Sequence, residues 1–570
     1  MLWSQVYRRP AQRAGFAKVP VGRNRALRRS GGSAATGSCR NCEDLFRPTT
    51  LAIAAYLGAL LLLLSGCGGQ DVPPAITPPV ASPSSEPRPA VSPTTTSSVP
   101  QRQLLRESWE LVLVGGSKVG YSHFEEFGSQ LGDQPVRELI SSNEMSMQRF
   151  GQTVTQSIEA SSIETPEGQV VQFGTKMKTG PTELTIKGEY RDGKMWIETG
   201  TLGKTQSASL DWNPAWGGFF ADQQSLKRQP MNAGETRQIT ALVPGTVQAG
   251  EIEIKAKQKE STKLLDGERE LLRIESALNI AGTKITSIMW ADEAGEVLKM
   301  SIPGLNHETY RVTKEIALQP AANTDFDLGT QTVVKVDKPV EMPHSTTRIV
   351  YLARLKSGSP AEVFSNCRSQ SVKQLDEHTA EITVRAIRPT SDKVTTSDSG
   401  LPTDADLKPN NLIQSDDGAI ISLAERLAEG ETDPWELAKT FEAGVHGYVH
   451  SKNFSQAIGS AADVVRSREG DCTEHAVLLA ALCRAKGIPA RVAIGLVYYV
   501  PVQGLAYHMW NEVWITDGWV PIDATLGRGG IGAGHLKITD ADLSDASPVS
   551  ALLPVVEVIG QLELEIVSAE

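Results

Sequence analysis

Gly470-Asp471-Cys472-Thr473-Glu474-His475 runs into Ala476-Val477-Leu478-Leu479-Ala480-Ala481-Leu482-Cys483, and Lys486-Gly487-Ile488-Pro489 follows. The apolar run is too uniform for a surface helix, and Gly487 with Pro489 supplies a stop. The stretch therefore reads as a buried helix with Cys472 at its N-terminus. That position has a chemical consequence. The thiolate is the nucleophilic form of cysteine, and the unpaired N–H groups of a helix start stabilise it and could also hold an oxyanion. Asp471 opposes the effect slightly through its like charge. Cys483 lies near the same helix face but about 16 Å along the axis at 1.5 Å per residue. A disulfide needs Cα atoms within about 7 Å, so Cys483 reads as core.

On the N-terminal side, Ile420, Ile421, Ala424, Leu427 and Ala428 share one helical face that Gly430 ends. Asp433-Pro434 opens a second helix lined by Trp435, Ala438, Phe441, Val445 and Tyr448, and Ser460 with Asp463 caps a short third. On the C-terminal side, Ala490 to Tyr499 reads as a strand, and Tyr507 to Ile515, Thr516-Asp517-Gly518 and Trp519 to Asp523 read as a hairpin. A nucleophilic thiol needs a base, and the base needs an orienting group. His508 and Asp523 supply those chemistries. With Asp517-Gly518 as a two-residue turn, Glu512 faces Asp523, and His508 is four residues further along. That is about 13 Å on a strand, so a triad requires a different register or strong coiling. Taken singly, a cysteine at a helix start and a histidine before an apolar strand are more often packing residues than catalytic ones.

Four blocks agree in order and spacing: Gly470-Asp471-Cys472-x-Glu474-His475, then Gly487-Ile488-Pro489-Ala490-Arg491, then His508-x-Trp510-Asn511-Glu512-Val513, then Gly518-Trp519-x-x-x-Asp523-x-Thr525. Together they resemble the transglutaminase-like superfamily over about residues 412–545. The resemblance implies a papain-like core with Cys472, His508 and Asp523 as catalytic triad, and Trp510 and Glu512 as scaffold or substrate-cleft residues. It implies attack on an amide or ester carbonyl of a protein or peptide through a thioacyl intermediate. Water would make the enzyme a peptidase or amidase, and an amine would make it a transamidase; hydrolysis is the favoured outcome for an enzyme working in abundant water. Ala524 departs from the proline frequent at that place in the family. Phe454 and Trp435 are possible neighbours of the thiol, and no oxyanion-stabilising side chain is assigned. The competing reading is a non-catalytic envelope scaffold that binds polypeptide with the same fold.

The middle of the chain alternates. Trp109 to Val114, Gly115-Gly116 and Val119 to Phe124 read as strand, turn, strand, and similar runs with Asp192-Gly193 and Asp266-Gly267 turns continue to Leu318. Residues 104–335 are expected to form one large antiparallel β domain, curved or half-barrel. His123 and His307 in it read as surface or packed residues. A small β segment over 345–390 contains Arg348 to Leu355, Thr379 to Ile387 and Cys367, the last a small hydrophobe. Residues 391–411 read as a linker and 412–570 as the catalytic domain. The expected fold class is α+β: large N-terminal antiparallel β domain, small β domain, C-terminal papain-like α+β domain.

Leu51 to Leu64 is a run of fourteen apolar or small residues behind a basic stretch, the layout of a signal peptide. It is shorter than the roughly 20 residues of a spanning helix. Leu64-Ser65-Gly66-Cys67 resembles a bacterial lipobox, which implies removal of residues 1–66 and lipidation of Cys67. Residues 67–103 form a tether; its span 68–101 holds nine prolines and ten Ser or Thr, too little apolar surface to fold. The expected location is the bacterial cell envelope, lipid-anchored and extracytoplasmic. Residues 1–66 carry ten Lys or Arg against two acids, so the remainder of a chain of net charge −11 carries −19. That balance argues against nucleic-acid binding. The six cysteines are too few for a disulfide scaffold, and Cys39-x-x-Cys42 lacks a second ligand pair. No phosphate loop, dinucleotide fingerprint, calcium loop or metal cluster is visible, so no cofactor and no metal is expected.

Overall fold

The computed structural model describes residues 102–180, 182–201, 204–320, 326–387, 400–454, 458–544, 547 and 549–570. The expected signal peptide, the lipobox with Cys67, Cys39-x-x-Cys42, the tether up to residue 101, residues 388–390 at the end of the small β segment and residues 391–399 of the linker lie outside them.

Residues Gln103–Val312 build a 14-stranded antiparallel sheet. Two meanders compose it: eight strands from Gln103–Val114 to Lys204–Asp211, and six from Thr236–Leu242 to His307–Val312. The first and last strands pair with each other, Trp109 opposite Val312 and Val114 opposite His307, which joins the meanders at the centre. Strict alternation drives this. In Gln152–Glu164, Val154, Gln156, Ile158, Ala160, Ser162 and Glu164 are buried and the residues between them are not, apart from part-buried positions toward the strand's end. Each fully buried Val, Leu, Ile, Phe or Met stabilises by about 1.5–3 kcal/mol. Phe219, Phe220 and Leu226 from the connection between the meanders, which includes the helix Ala221–Arg228, pack into the same core.

His307 opens the last strand and is buried, and neither ring nitrogen has a hydrogen bond. Burial pushes its pKa down to about 4, against a weak opposing pull from Glu308. The unfolded chain therefore binds a proton near pH 6.5 that the folded chain refuses until about pH 4. Stability from this site is full above pH 6.5 and falls as pH drops toward 4, by about 3 kcal/mol at most. Urea unfolding of the full chain at pH 7 and pH 4.5 should show this loss, and His307→Leu should remove it.

Arg348–Leu355, Thr379–Arg385 and Gln370–Asp376 form a small sheet whose fourth strand is Leu562–Ala569, from the end of the chain. Leu562, Leu564 and Ile566 face inward and Glu563 and Glu565 outward, with Tyr351 opposite Ile566. Beyond this sheet, the C-terminal domain has its central strand at Ala490–Tyr499, flanked by Gly504–Ile515 and His535–Ala541; Gly518–Ile522 pairs back onto Gly504–Ile515. Val334–Lys335 adds a short edge pairing at Leu505 and Gly504. The helix Cys472–Ala485 is buried from Cys472 through Arg484. It packs against that sheet and against the helices Gly418–Ala428, Pro434–Tyr448 and Ala461–Ser467.

Candidate active site

Cys472 is the first residue of its helix because the chain before it closes a capping box. Asp471 accepts hydrogen bonds from Thr473 N at 2.9 Å and Thr473 Oγ1 at 2.8 Å, and Asp471 N donates to Glu474 Oε2 at 2.9 Å. Such reciprocal capping satisfies donors that a helix start otherwise leaves open. Glu474 Oε1 also accepts from Gly459 N at 2.7 Å. Gly470 has φ +153°, and a Cβ there would collide with the Glu474 side chain. Burial, then the Asp471 charge, pushes the Glu474 carboxyl well above its ordinary range. Cys472 itself is 0 % exposed.

His508 Nε2 donates to Asp523 Oδ2 at 2.9 Å, and His508 Nδ1 makes no hydrogen bond. The register explains how this pair meets. Thr516 and Asp517 occupy the turn, both at positive φ (46° and 62°), and Ile515 pairs with Gly518. Glu512 therefore faces Pro521, and Asn511 faces Ile522, two residues away from the register expected from Asp517-Gly518. The expected separation of about 13 Å shrinks to about two residues, near 7 Å between backbones, which side chains span. Gly518 is not the turn glycine. A Cβ on it would meet the Arg368 guanidinium at 2.7 Å.

Asp523 Oδ2 also accepts from His535 Nε2 at 3.0 Å, and Oδ1 accepts from Thr525 N at 2.8 Å. Burial alone would raise the Asp523 carboxyl, but His508 and His535 hold it well below the usual range. The His508, Asp523 and His535 ligand atoms lie within 4.8 Å of one another, so two imidazoles and a carboxylate form the donor set most suited to a metal among the described residues. Trp510 is buried, stacked on His508 (centroids 6.1 Å, 16°) and edge-on to His535 (5.2 Å, 69°). Glu512, the other residue expected at the scaffold or cleft, has its carboxylate engaged by cations. It is buried opposite Arg491, which donates to it from Nε at 2.9 Å and Nη2 at 2.7 Å, and Lys537 Nζ donates at 2.7 Å.

Sequence reasoning missed four residues around this centre. His535 opens a strand and reaches Asp523. Glu442 lies on the buried face of Pro434–Tyr448 and accepts from Asp523 N (3.3 Å), Gly529 N (2.6 Å) and Gly530 N (3.2 Å), so it shapes the loop after Asp523. An acid beside Phe441 and Val445 stands out on an otherwise apolar face, but nothing in the sequence names its partners. Lys452 Nζ sits 3.3 Å from His475 Nε2; burial lowers its pKa, and the charges of Asp471, Cys472 and Asp523 pull the other way. Arg149, from the large sheet, pairs with Asp471 at 3.0 Å. Of the two residues named as possible thiol neighbours, Phe454 has its carbonyl bonded by Arg149 at 2.8 Å, and Trp435 lies under Lys439 Nζ at 5.8 Å. Cys483 is buried, and burial pushes its thiol up to about 12.

Residues 421–524 match the family model of the transglutaminase-like superfamily, in agreement with the resemblance carried by the four motifs. No curated protein matches the chain. Among solved structures, the chain is similar to the "Putative Cysteine Protease from Cytophaga hutchinsonii", at 17% identity over 40% of this chain and 86% of that one, TM-score 0.26. It is also similar to the "Beta-barrel-like Protein of Domain of Unknown Function DUF1849 from Brucella abortus", at 10% identity over 37% of this chain and 94% of that one, TM-score 0.27.

Proposed function

With residues 421–524 assigned to the transglutaminase-like superfamily, we propose that the chain is a cysteine enzyme that cleaves or transfers amide acyl groups of proteins or peptides. Cys472 is the nucleophile, His508 the base and Asp523 its orienting acid. The observation that carries this is the 2.9 Å bond from His508 Nε2 to Asp523. It fixes the proton on Nε2 and leaves the Nδ1 lone pair open to take the Cys472 proton. The thiolate then attacks the carbonyl carbon; the C–S bond forms and the carbonyl electron pair moves to oxygen. Collapse breaks the C–N bond, and the amine leaves with the proton held by His508. Water, or an amine, attacks the thioester after losing its proton to His508, the C–S bond breaks, and sulfur regains that proton. The backbone N–H of Cys472, at the start of the Cys472–Ala485 helix, is the candidate oxyanion donor.

The same proposal places the enzyme at the bacterial envelope, held by lipid on Cys67 and standing off the membrane on its Pro/Ser/Thr tether. Hydrolysis is the preferred branch, since water is abundant there. The test is thiol labelling of the full chain in detergent with iodoacetamide across pH, scored at each cysteine by mass spectrometry. Cys472 should label at least tenfold faster than Cys483 at pH 6, and His508→Ala should abolish that advantage. Equal labelling of Cys472 and Cys483, indifferent to His508, would sink the enzyme reading and favour the scaffold.

A further inference from the structure

The strand pair Gln134–Arg149 and Gln152–Glu164 of the large sheet turns at Phe150-Gly151, with φ of 47° and 77°. Those angles suit a tight two-residue hairpin turn but cost a Phe some strain. Asp327 holds the turn, accepting from Phe150 N at 3.0 Å and Gly151 N at 2.7 Å. The tip docks on Lys452 to Phe454, the stretch that follows the helix Pro434–Tyr448. Gln152 donates to Lys452 O at 3.1 Å and accepts from Phe454 N at 2.8 Å, and Phe150 packs on Phe454 with centroids 5.3 Å apart. Arg149 is wholly buried there. It donates to Phe454 O at 2.8 Å and to Asp471 Oδ2 at 3.0 Å, across 322 residues of sequence.

We propose that Arg149 is a positioning residue for Cys472: it neutralises the cap carboxylate of Asp471 and brings a cation within electrostatic reach of the sulfur. Asp471 is the right cap for the helix and the wrong charge for a thiolate next to it. A buried guanidinium cancels the second property and keeps the first. Burial lowers the Arg149 pKa, while the charges of Asp471, Cys472, Glu474 and Asp327, in that order, hold it up. The charges coupled to the thiol are Arg149 from the hairpin and Lys452 from the stretch after Pro434–Tyr448; Asp471, Glu474 and His475 flank it at its own helix start, and His508 with Asp523 joins it in the proposed triad. The consequence is that the large β domain completes the catalytic domain by supplying the Arg149 cation to the surroundings of Cys472.

This rests on Cys472 being the nucleophile, so the experiment separates the two claims. The rate of iodoacetamide alkylation at Cys472 is measured from pH 5 to 9.5 in the full chain, for wild type, Arg149→Gln, Arg149→Lys, Gln152→Ala and the double variant Arg149→Gln/Asp471→Asn. Arg149→Gln should move the apparent thiol pKa up by about one unit, a roughly tenfold loss of rate on the limb of the profile below that pKa. Arg149→Lys should recover part of it. The double variant should recover most of it, because Asn still caps the helix and no carboxylate remains unpaired. Gln152→Ala loosens the same contact without touching charge and should leave the profile in place. The inference is overturned if Arg149→Gln superposes on wild type, if Gln152→Ala shifts the profile equally, or if Arg149→Gln labels faster, which would make the hairpin a cover over the thiol. If wild-type Cys472 labels no faster than Cys483, the nucleophile reading fails and this inference with it. A reactive wild type with an unmoved Arg149→Gln profile overturns this inference alone.

Discussion

Replacing Asp523 by Asn is expected to slow acylation of Cys472 by roughly 10²–10⁴-fold, the range of a displaced general base. A p-nitrophenyl ester serves as acyl donor: release of nitrophenolate reports formation of the C–S bond. The argument is about proton placement. Asp523 offers only acceptors, so it fixes the Nε2–H tautomer of both His508 and His535. Its other oxygen is taken by Thr525 N. An amide that keeps its oxygen on Thr525 turns its NH2 toward the two rings, drives their protons to Nδ1, and removes the lone pair that His508 needs. The carboxylate also loses a charge that His508 and His535 hold well below its ordinary pKa. That depressed pKa means the Asp523 carboxylate keeps its charge on moderate acidification, so an early loss of wild-type activity does not come from Asp523. His535→Gln should cost much less than Asp523→Asn, because His508 keeps its partner. Equal losses in the two variants would show that His535, not His508, carries the proton.

How much of this centre could be read in advance depended on the range of the contacts. The Cys472 helix was legible because its signals are local: an unbroken apolar run, then Gly487 and Pro489. Alternation made the large sheet legible for the same reason, since each strand announces which face it buries. The Asp471–Glu474 capping box was equally local and was passed over, the Asp being read only for its charge. The hairpin register was misread because Gly518 looks like a turn residue and is small for a different reason, the Arg368 side chain packed across it. Thr516 and Asp517 accept positive φ instead, at a cost that the Trp514–Trp519 contact in the adjoining pair (5.5 Å, 79°) helps to offset. Arg149, His535 and Glu442 were out of reach on other grounds. Each meets its partner across 80 residues or more, or through a loop whose path no periodicity encodes, and an isolated Arg, His or Glu carries no pattern of its own. The final strand Leu562–Ala569 alternates clearly but says nothing about pairing with Arg348–Leu355, since the choice of partner is made by tertiary packing.

Glu512→Ala is expected to destabilise the C-terminal domain by about 3–5 kcal/mol, the cost of leaving buried cations without their acid. Urea unfolding of the full chain, followed by tryptophan fluorescence, measures it. Arg491 and Lys537 both converge on Glu512 Oε2 at 2.7 Å, and each is paired a second time with Asp540 at 2.7 Å. Burial would raise the Glu512 carboxyl, but Lys537 and Arg491 hold it below its ordinary value. The sign follows. A depressed folded pKa gives stability that is present above pH 4.5 and is lost as pH falls through the lower folded value, so the gap between wild type and Glu512→Ala should narrow only in strong acid. Glu512→Ala/Lys537→Met should recover part of the loss, because the second change removes a cation that would otherwise stay partly unpaired. This variant also decides what kind of residue Glu512 is. A group on the substrate cleft would change acylation of the folded enzyme and leave its unfolding midpoint in place. A strut opposite Arg491, two residues along the strand from Trp510 and four from His508, does the reverse: the folded fraction keeps a reactive Cys472 and the midpoint falls. A cost below about 1 kcal/mol would mean that the four charges are screened as surface pairs are, and that the strand holding His508 is kept in register by its apolar neighbours alone.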